Sequence, residues 1–182
     1  MKVLLFAGSL RKDSLNKKLV SVANQILQDS NIETTVVDLQ PLEFPVYDAD
    51  IEAKGIPLNV QMLSQFVNEA DAVIISSPEY NGSISSPLKN TLDWLSRTKP
   101  MNLAKKQVLL LGASPGELGA MRGLLHSKIP FEAMGNFVYP RVYGLPKADQ
   151  AFGENNKLVD PKRQENLAKL VSEFIEHCKN FN

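Results

Sequence analysis

Five short apolar runs punctuate this chain, and five longer segments with apolar residues every three or four positions alternate with them. The runs cover residues 3–7, 34–39, 72–76, 108–111 and, more weakly, 137–139. They are continuous rather than alternating, which is the pattern of strands covered on both faces. The segments with helical spacing cover 16–30, 58–69, 87–97, 118–134 and 161–179. Strand and helix in strict alternation predict an α/β fold: a five-stranded parallel sheet with helices on both faces. The expected strand order is the doubly wound 2-1-3-4-5, which reverses direction between strands one and three. The last helix is well punctuated, with Asp160 placed to cap it and Pro161 at its first position.

Composition narrows the picture without changing it. With 182 residues and neither repeat nor linker, one domain spanning 1–182 is expected. Twenty basic and twenty acidic side chains cancel. No global field favours nucleic acid or an anionic membrane, so neither is an expected partner. The opening apolar run is too short for a signal peptide and is followed closely by Arg11 and Lys12. No segment reaches the length of a membrane span. A cytoplasmic protein is expected. The single cysteine, Cys178, is in phase with Leu167, Leu170, Val171, Phe174 and Ile175, and reads as packing rather than as a redox thiol.

A sheet of this order places its ligand where the strand order reverses, so the loops after strands one, three and four should carry unusual chemistry. They do. The first, from Gly8 to Asn16, feeds a strand into a helix, which gathers free N–H groups and the positive end of a helix dipole at one point. Its side chains suit a phosphomonoester: hydroxyls from Ser9 and Ser14, an amide from Asn16 and a guanidinium from Arg11. The glycine patterns of dinucleotide and P-loop sites are absent, so a mononucleotide fits better than a pyrophosphate. The second loop, from Ser77 to Pro87, offers Tyr80 as a flat surface beside a planar heterocycle. Asn81 and the backbone from Pro78 through Glu79 to Gly82 can bond the edge of such a ring. The third, from Gly112 to Ala120, contains Ser114 among small residues that let backbone approach a ligand.

Other polar residues read as scaffold. His126 and His177 each stand alone on a helix, far from the three loops in the pattern. Neither has a partner for nucleophilic catalysis, and no catalytic side chain is nominated. No spacing suggests a metal site. Asp48, Asp50 and Glu52 read as a solvated acidic loop.

On these motifs the chain resembles the NADPH-dependent FMN reductase family of flavodoxin-like proteins, which includes quinone, azo-dye and chromate reductases. The family's G-S-x-R-x-x-S-x-N signature stands here as Gly8, Ser9, Arg11, Ser14 and Asn16. Its P-E-Y-N-G-S, P-L-K-N and D-W signatures stand at Pro78 to Ser83, Pro87 to Asn90, and Asp93 with Trp94. The third loop matches as Ala113 to Gly116 with Gly119 and Arg122, but Ala120 replaces a usual glycine. The resemblance implies FMN, with its phosphate on Ser9, Arg11, Ser14 and Asn16. Its ring would lie against Pro78, Glu79, Tyr80 and Asn81, with Ser114 closing the far edge. No histidine or cysteine in the loops offers a covalent attachment point, so the FMN is expected to be non-covalent. NADPH or NADH is the implied hydride donor, a small-molecule electron acceptor the implied partner, and a homodimer or homotetramer the implied assembly. Asp93 and Trp94 are interface candidates, with core packing the alternative for Trp94. A flavodoxin-type electron carrier is the rival function. Such carriers are typically acidic and lack an arginine in the phosphate loop, whereas this chain is neutral and has Arg11.

Overall fold

The structure is a computed structural model that describes residues 1–154 and 157–181. A central sheet is built from β1 (Lys2–Ala7), β2 (Glu33–Val37), β3 (Ala72–Ser76), β6 (Gln107–Ala113), β7 (Phe137–Val138) and β8 (Tyr143–Leu145). All its pairings are parallel, in the order β2-β1-β3-β6, with β7 and β8 both against β6. The expected 2-1-3-4-5 order holds, but the fifth position is filled by two short strands rather than one. Pro140 accounts for the break. Tyr139 still donates its N–H to Val108, while Pro140 has none to give, so pairing resumes only at Tyr143.

Adjacent strand residues supply opposite cores. Val3, Leu5 and Ala7 face α1 (Leu15–Asp29) and α6 (Pro161–Phe181), while Leu4 and Phe6 face the other side. That second side is covered by α3 (Leu58–Glu69), α4 (Ser86–Leu95) and α5 (Met121–Ala133). Each fully buried Leu, Val or Phe contributes roughly 1.5–3 kcal/mol, so β1 stabilises two interfaces at once. The edge strand β2 departs from the continuous apolar reading: Glu33 and Val36 are exposed, because only one neighbour covers it.

Three readings of the sequence are corrected in detail. The acidic run is not plain loop. Asp48 caps a short helix, α2 (Ala49–Glu52), by accepting from Asp50 N, and Glu52 is held by the Tyr47 hydroxyl and by Arg97. The loop after β3 contains a hairpin, β4 (Glu79–Tyr80) with β5 (Ser83–Ile84). Finally, of the two readings of Trp94 the core one holds, since it is fully buried, whereas Asp93 is half-buried beside Lys89. Trp94 and Asn90 explain their own motif. Trp94 Nε1 and Asn90 Nδ2 both donate to the Pro45 carbonyl, at 2.8 and 2.9 Å, and Asn90 Oδ1 accepts from Tyr47 N. Together they pin the segment after β2 onto α4. Cys178 is buried as its phase indicated, and burial pushes its thiol up to about 12, which makes it inert.

No helix among the described residues is long and apolar enough to cross a membrane. Trp94→Ala is expected to cost about 3–5 kcal/mol of unfolding free energy, measured by urea titration, without changing the elution volume of the folded protein. A change in assembly without a loss of stability would return Trp94 to an interface.

Candidate functional site

The carboxyl ends of β1, β3 and β6 are stitched together before any ligand is considered. Gly8 N donates to Ser76 O, Ser85 Oγ donates to Gly8 O at 2.7 Å, and Ser77 N donates to Leu111 O. At the centre is Asn16. Its Nδ2 donates to Ala113 O at 3.0 Å, while its Oδ1 accepts from Ala113 N at 2.9 Å and Ser76 Oγ at 2.8 Å. One buried amide therefore ties the start of α1 to the ends of two strands.

This adds a structural role to the one expected of Asn16. These bonds hold the side chain against protein partners, and one Nδ2 proton is left over in the cleft that Asn16 helps to line. The cause is helical phase, since Asn16 lies on the same stripe as Leu19, Val20 and Ala23, which faces the sheet. Ser14 keeps its place at the helix start. It accepts from Asn16 N and Lys17 N as an N-cap, and its own hydroxyl proton remains available. Ser9 is buried beside it and accepts from Arg11 N. The N–H groups of Leu10, Lys12, Asp13, Ser14 and Leu15 find no acceptor among the described residues. Arg11 is exposed and has no carboxylate partner among them either. Two hydroxyls, a free guanidinium and a run of unpaired N–H groups at a helix N-terminus form a cradle for an anion.

The cradle opens into a cleft of about 180 Å³. Ser9, Arg11, Ser14, Leu15 and Asn16 line one end, Pro78, Glu79 and Tyr80 one wall, and Ala113, Ser114 and Pro115 the other. Eight of the ten residues singled out in the sequence are thus brought together. The other two, Asn81 and Gly82, form the tip of the hairpin rather than the wall. Both have positive φ, 51° and 77°, which is what a two-residue turn between strands requires and what Asn-Gly supplies. Tyr80, 42% exposed, stands free on the wall. Ser114 accepts from Gly116 N at 3.0 Å, which turns its loop over the far side.

Two features escaped the sequence reading. His126 is not far from the loops: its Nδ1 lies 3.2 Å from Ser83 Oγ, because the first two turns of α5 run under the hairpin. Arg122 pairs with Glu79 across 43 residues. Only the shared motif that includes Arg122 hinted at this. A larger cavity of about 560 Å³ lies elsewhere, between α3 and the 97–102 turn, away from the three loops.

Comparison with known proteins places the chain in a family. The sequence model of the NADPH-dependent FMN reductase family matches residues 1–150. The chain belongs to that family. It is 37% identical to the quinone reductase of Escherichia coli K12 over 130 residues, which cover 69% of this chain and 66% of that protein. It is 31% identical to the NAD(P)H-dependent FMN reductase of Pseudomonas aeruginosa over 167 residues, 91% of this chain and 88% of the relative. Among solved structures, the flavoenzyme NAD(P)H:(acceptor) oxidoreductase FerB of Paracoccus denitrificans superposes with a TM-score of 0.84 at 27% identity, covering 98% of this chain and 97% of FerB.

Asn16→Ala would leave the Ala113 N–H, the Ala113 carbonyl and the Ser76 hydroxyl without their partner inside the protein. The expected loss is about 2–5 kcal/mol in urea unfolding of the ligand-free protein, larger than for any surface substitution in the same loop. A loss under about 1 kcal/mol would show that water replaces the amide.

Proposed function

We propose that this protein is an FMN-dependent oxidoreductase that takes hydride from NADH or NADPH and passes electrons to a small acceptor: a quinone, a flavin, an azo compound or a metal oxyanion. The observation that carries the reading is the cradle at the start of α1. The Ser9 and Ser14 hydroxyls, Arg11 and the unpaired N–H groups of Ser14 and Leu15 stand together at one end of a cleft with a free aromatic on its wall. The donor set fits a terminal phosphate, and the cleft beyond it fits a flat ring. Family membership supports FMN as the occupant.

In this reading Ser9, Arg11 and Ser14 hold the phosphate, and Asn16 holds the walls apart at the correct spacing. Pro78 to Gly82 edge the ring from one side and Ser114 from the other. Bound non-covalently, FMN supplies the hydride-accepting and electron-donating chemistry. The chain's own residues bind, orient and exclude water. No carboxylate in the cleft wall is free to move a proton, because Glu79 is bound to Arg122 and Gly123.

The relatives named as quinone reductase and FMN reductase support a small organic acceptor. One FMN-binding domain over 1–182, a cytoplasmic location and a homodimer or homotetramer complete the reading. Exposed apolar side chains at Leu10, Val46, Leu58, Leu125 and Ile129 supply surface for such an assembly.

Acid precipitation of the purified protein should release FMN, not FAD, into the supernatant, and anaerobic NADPH or NADH should bleach the flavin within seconds. Flavin that stays oxidised in both nucleotides would favour an electron carrier, and release of FAD would overturn the cofactor. Arg11→Ala should weaken FMN binding more than Ser9→Ala in fluorescence titrations. A charge-assisted bond contributes roughly 1.5–3 kcal/mol, against about 0.5–1.5 for a neutral one. Equal or reversed losses would mean that the backbone N–H groups carry the phosphate.

A further inference from the structure

The β4–β5 hairpin has only two residues in each strand, with Glu79 opposite Ile84 and Tyr80 opposite Ser83. A ladder so short does not hold its shape alone in water, since even longer isolated hairpins are marginal. Yet this hairpin supplies a wall of the cleft, so something outside it must fix its position.

The start of α5 does so. This helix is entered through Gly119 and Ala120, which have φ of 56° and 68°, and Ala120 has no side chain able to cap it. The missing cap comes from across the chain. Glu79 Oε2 accepts from Gly123 N at 3.1 Å, and Glu79 Oε1 accepts from Arg122 Nε at 2.8 Å and from Arg122 Nη2. A carboxylate at this end of a helix also meets the positive end of its dipole. The Glu79 side chain is only 9% exposed. Burial pushes its carboxyl up, but the Arg122 guanidinium and the Gly123 N–H outweigh that and hold it below the ordinary glutamate value.

Two further contacts close the gap between hairpin and helix. A Cβ at position 123 would lie 2.9 Å from Ser83 O and 3.1 Å from Glu79 Cα, so only glycine lets the hairpin come this near. One turn later, His126 Nδ1 meets Ser83 Oγ. Successive residues of a strand point to opposite faces, so fixing Glu79 against α5 turns Tyr80 the other way, onto the cleft.

We propose that Glu79 is a positioning residue: with Arg122 and Gly123 it locks the hairpin onto α5, and through that lock sets where Tyr80 and the Pro78–Asn81 backbone stand against the flavin ring. The proposal rests on the reading of the cleft as the FMN site. The Glu79 carboxylate acts through Tyr80 and the hairpin backbone, because its oxygens are taken by Arg122 and Gly123.

The test uses the whole protein, FMN-free and FMN-loaded, with Glu79→Ala, Glu79→Gln and Arg122→Met. In the FMN-free protein, amide hydrogen exchange at Gly123 and across Tyr80 to Ser83 should quicken about tenfold or more in Glu79→Ala. Glu79→Gln, which keeps an acceptor for Gly123 but loses the charge, should fall between it and wild type. In titrations with FMN, the dissociation constant of Glu79→Ala should rise about tenfold, and the visible bands of the bound flavin should shift, with Glu79→Gln again between. If Glu79→Ala does not fold, Arg122→Met carries the same comparison, because it leaves the carboxylate on Gly123. Unchanged exchange in the variants that fold would overturn the lock. Faster exchange with unchanged FMN affinity and spectrum would overturn the positioning role while leaving the FMN site standing. A wild-type protein that binds no FMN would overturn both readings of the cleft, and the exchange data would still report whether Glu79 holds the hairpin.

Discussion

A single buried amide organises the functional end of this molecule. Asn16 sits at the point where α1 leaves the sheet and makes three hydrogen bonds, to both backbone groups of Ala113 and to the Ser76 hydroxyl. A buried amide left unbonded would cost several kcal/mol, so these bonds are the condition on which the residue can be there at all. Met together, they fix the spacing between the loop after β1 and the ends of β3 and β6. Every other element of the cleft is referenced to that spacing. The Ser14 cap orients the same turn of helix, so the start of α1 is set with no ligand needed to order it.

Local arrangement has to do the work here because the molecule has no net charge to draw an anion in. The dipole of α1 contributes only about 0.3–1 kcal/mol near its end, and salt screens it. Charge-assisted bonds from Arg11 contribute roughly twice as much or more. Arg11 is exposed, however, and has entropy to lose on binding. The buried part of the cradle is therefore backbone and hydroxyl, while its charged part is exposed. Selectivity for a phosphate shape resides in the first, and much of the affinity in the second.

Local patterns revealed what depends on local physics. The runs at β1, β3 and β6 were plain because both faces of each are covered, and α3 ends where its periodicity ends. The fifth strand was blurred by Pro140, which removes one ladder donor and splits the pairing. The β4–β5 hairpin was hidden because two residues per strand show no periodicity, although Asn81-Gly82 is a strong turn signal on its own. Asn16 was assigned to the phosphate beside Ser9 and Ser14, and its part in tying the strand ends together follows from its helical phase with Leu19 and Ala23. Long-range pairs had no local trace: Trp94 with Pro45, 49 residues apart, and Glu79 with Arg122, 43 apart.

The cleft also constrains the chemistry that can occur in it. Among the described residues lining it, the only carboxylate is Glu79, which Arg122 and Gly123 hold ionised below its ordinary range. A carboxylate held ionised does not deliver a proton at neutral pH. An acceptor that needs protons after receiving electrons, such as a quinone, must then draw them from solvent at the open side of the wall. Such a site places few chemical demands on what it reduces. Discrimination between acceptors falls to shape and apolar contact at the rim. Leu10, which stands between the cradle residues Ser9 and Arg11 in the chain, is exposed and lines a separate hollow of about 360 Å³ with Val46 and Pro87.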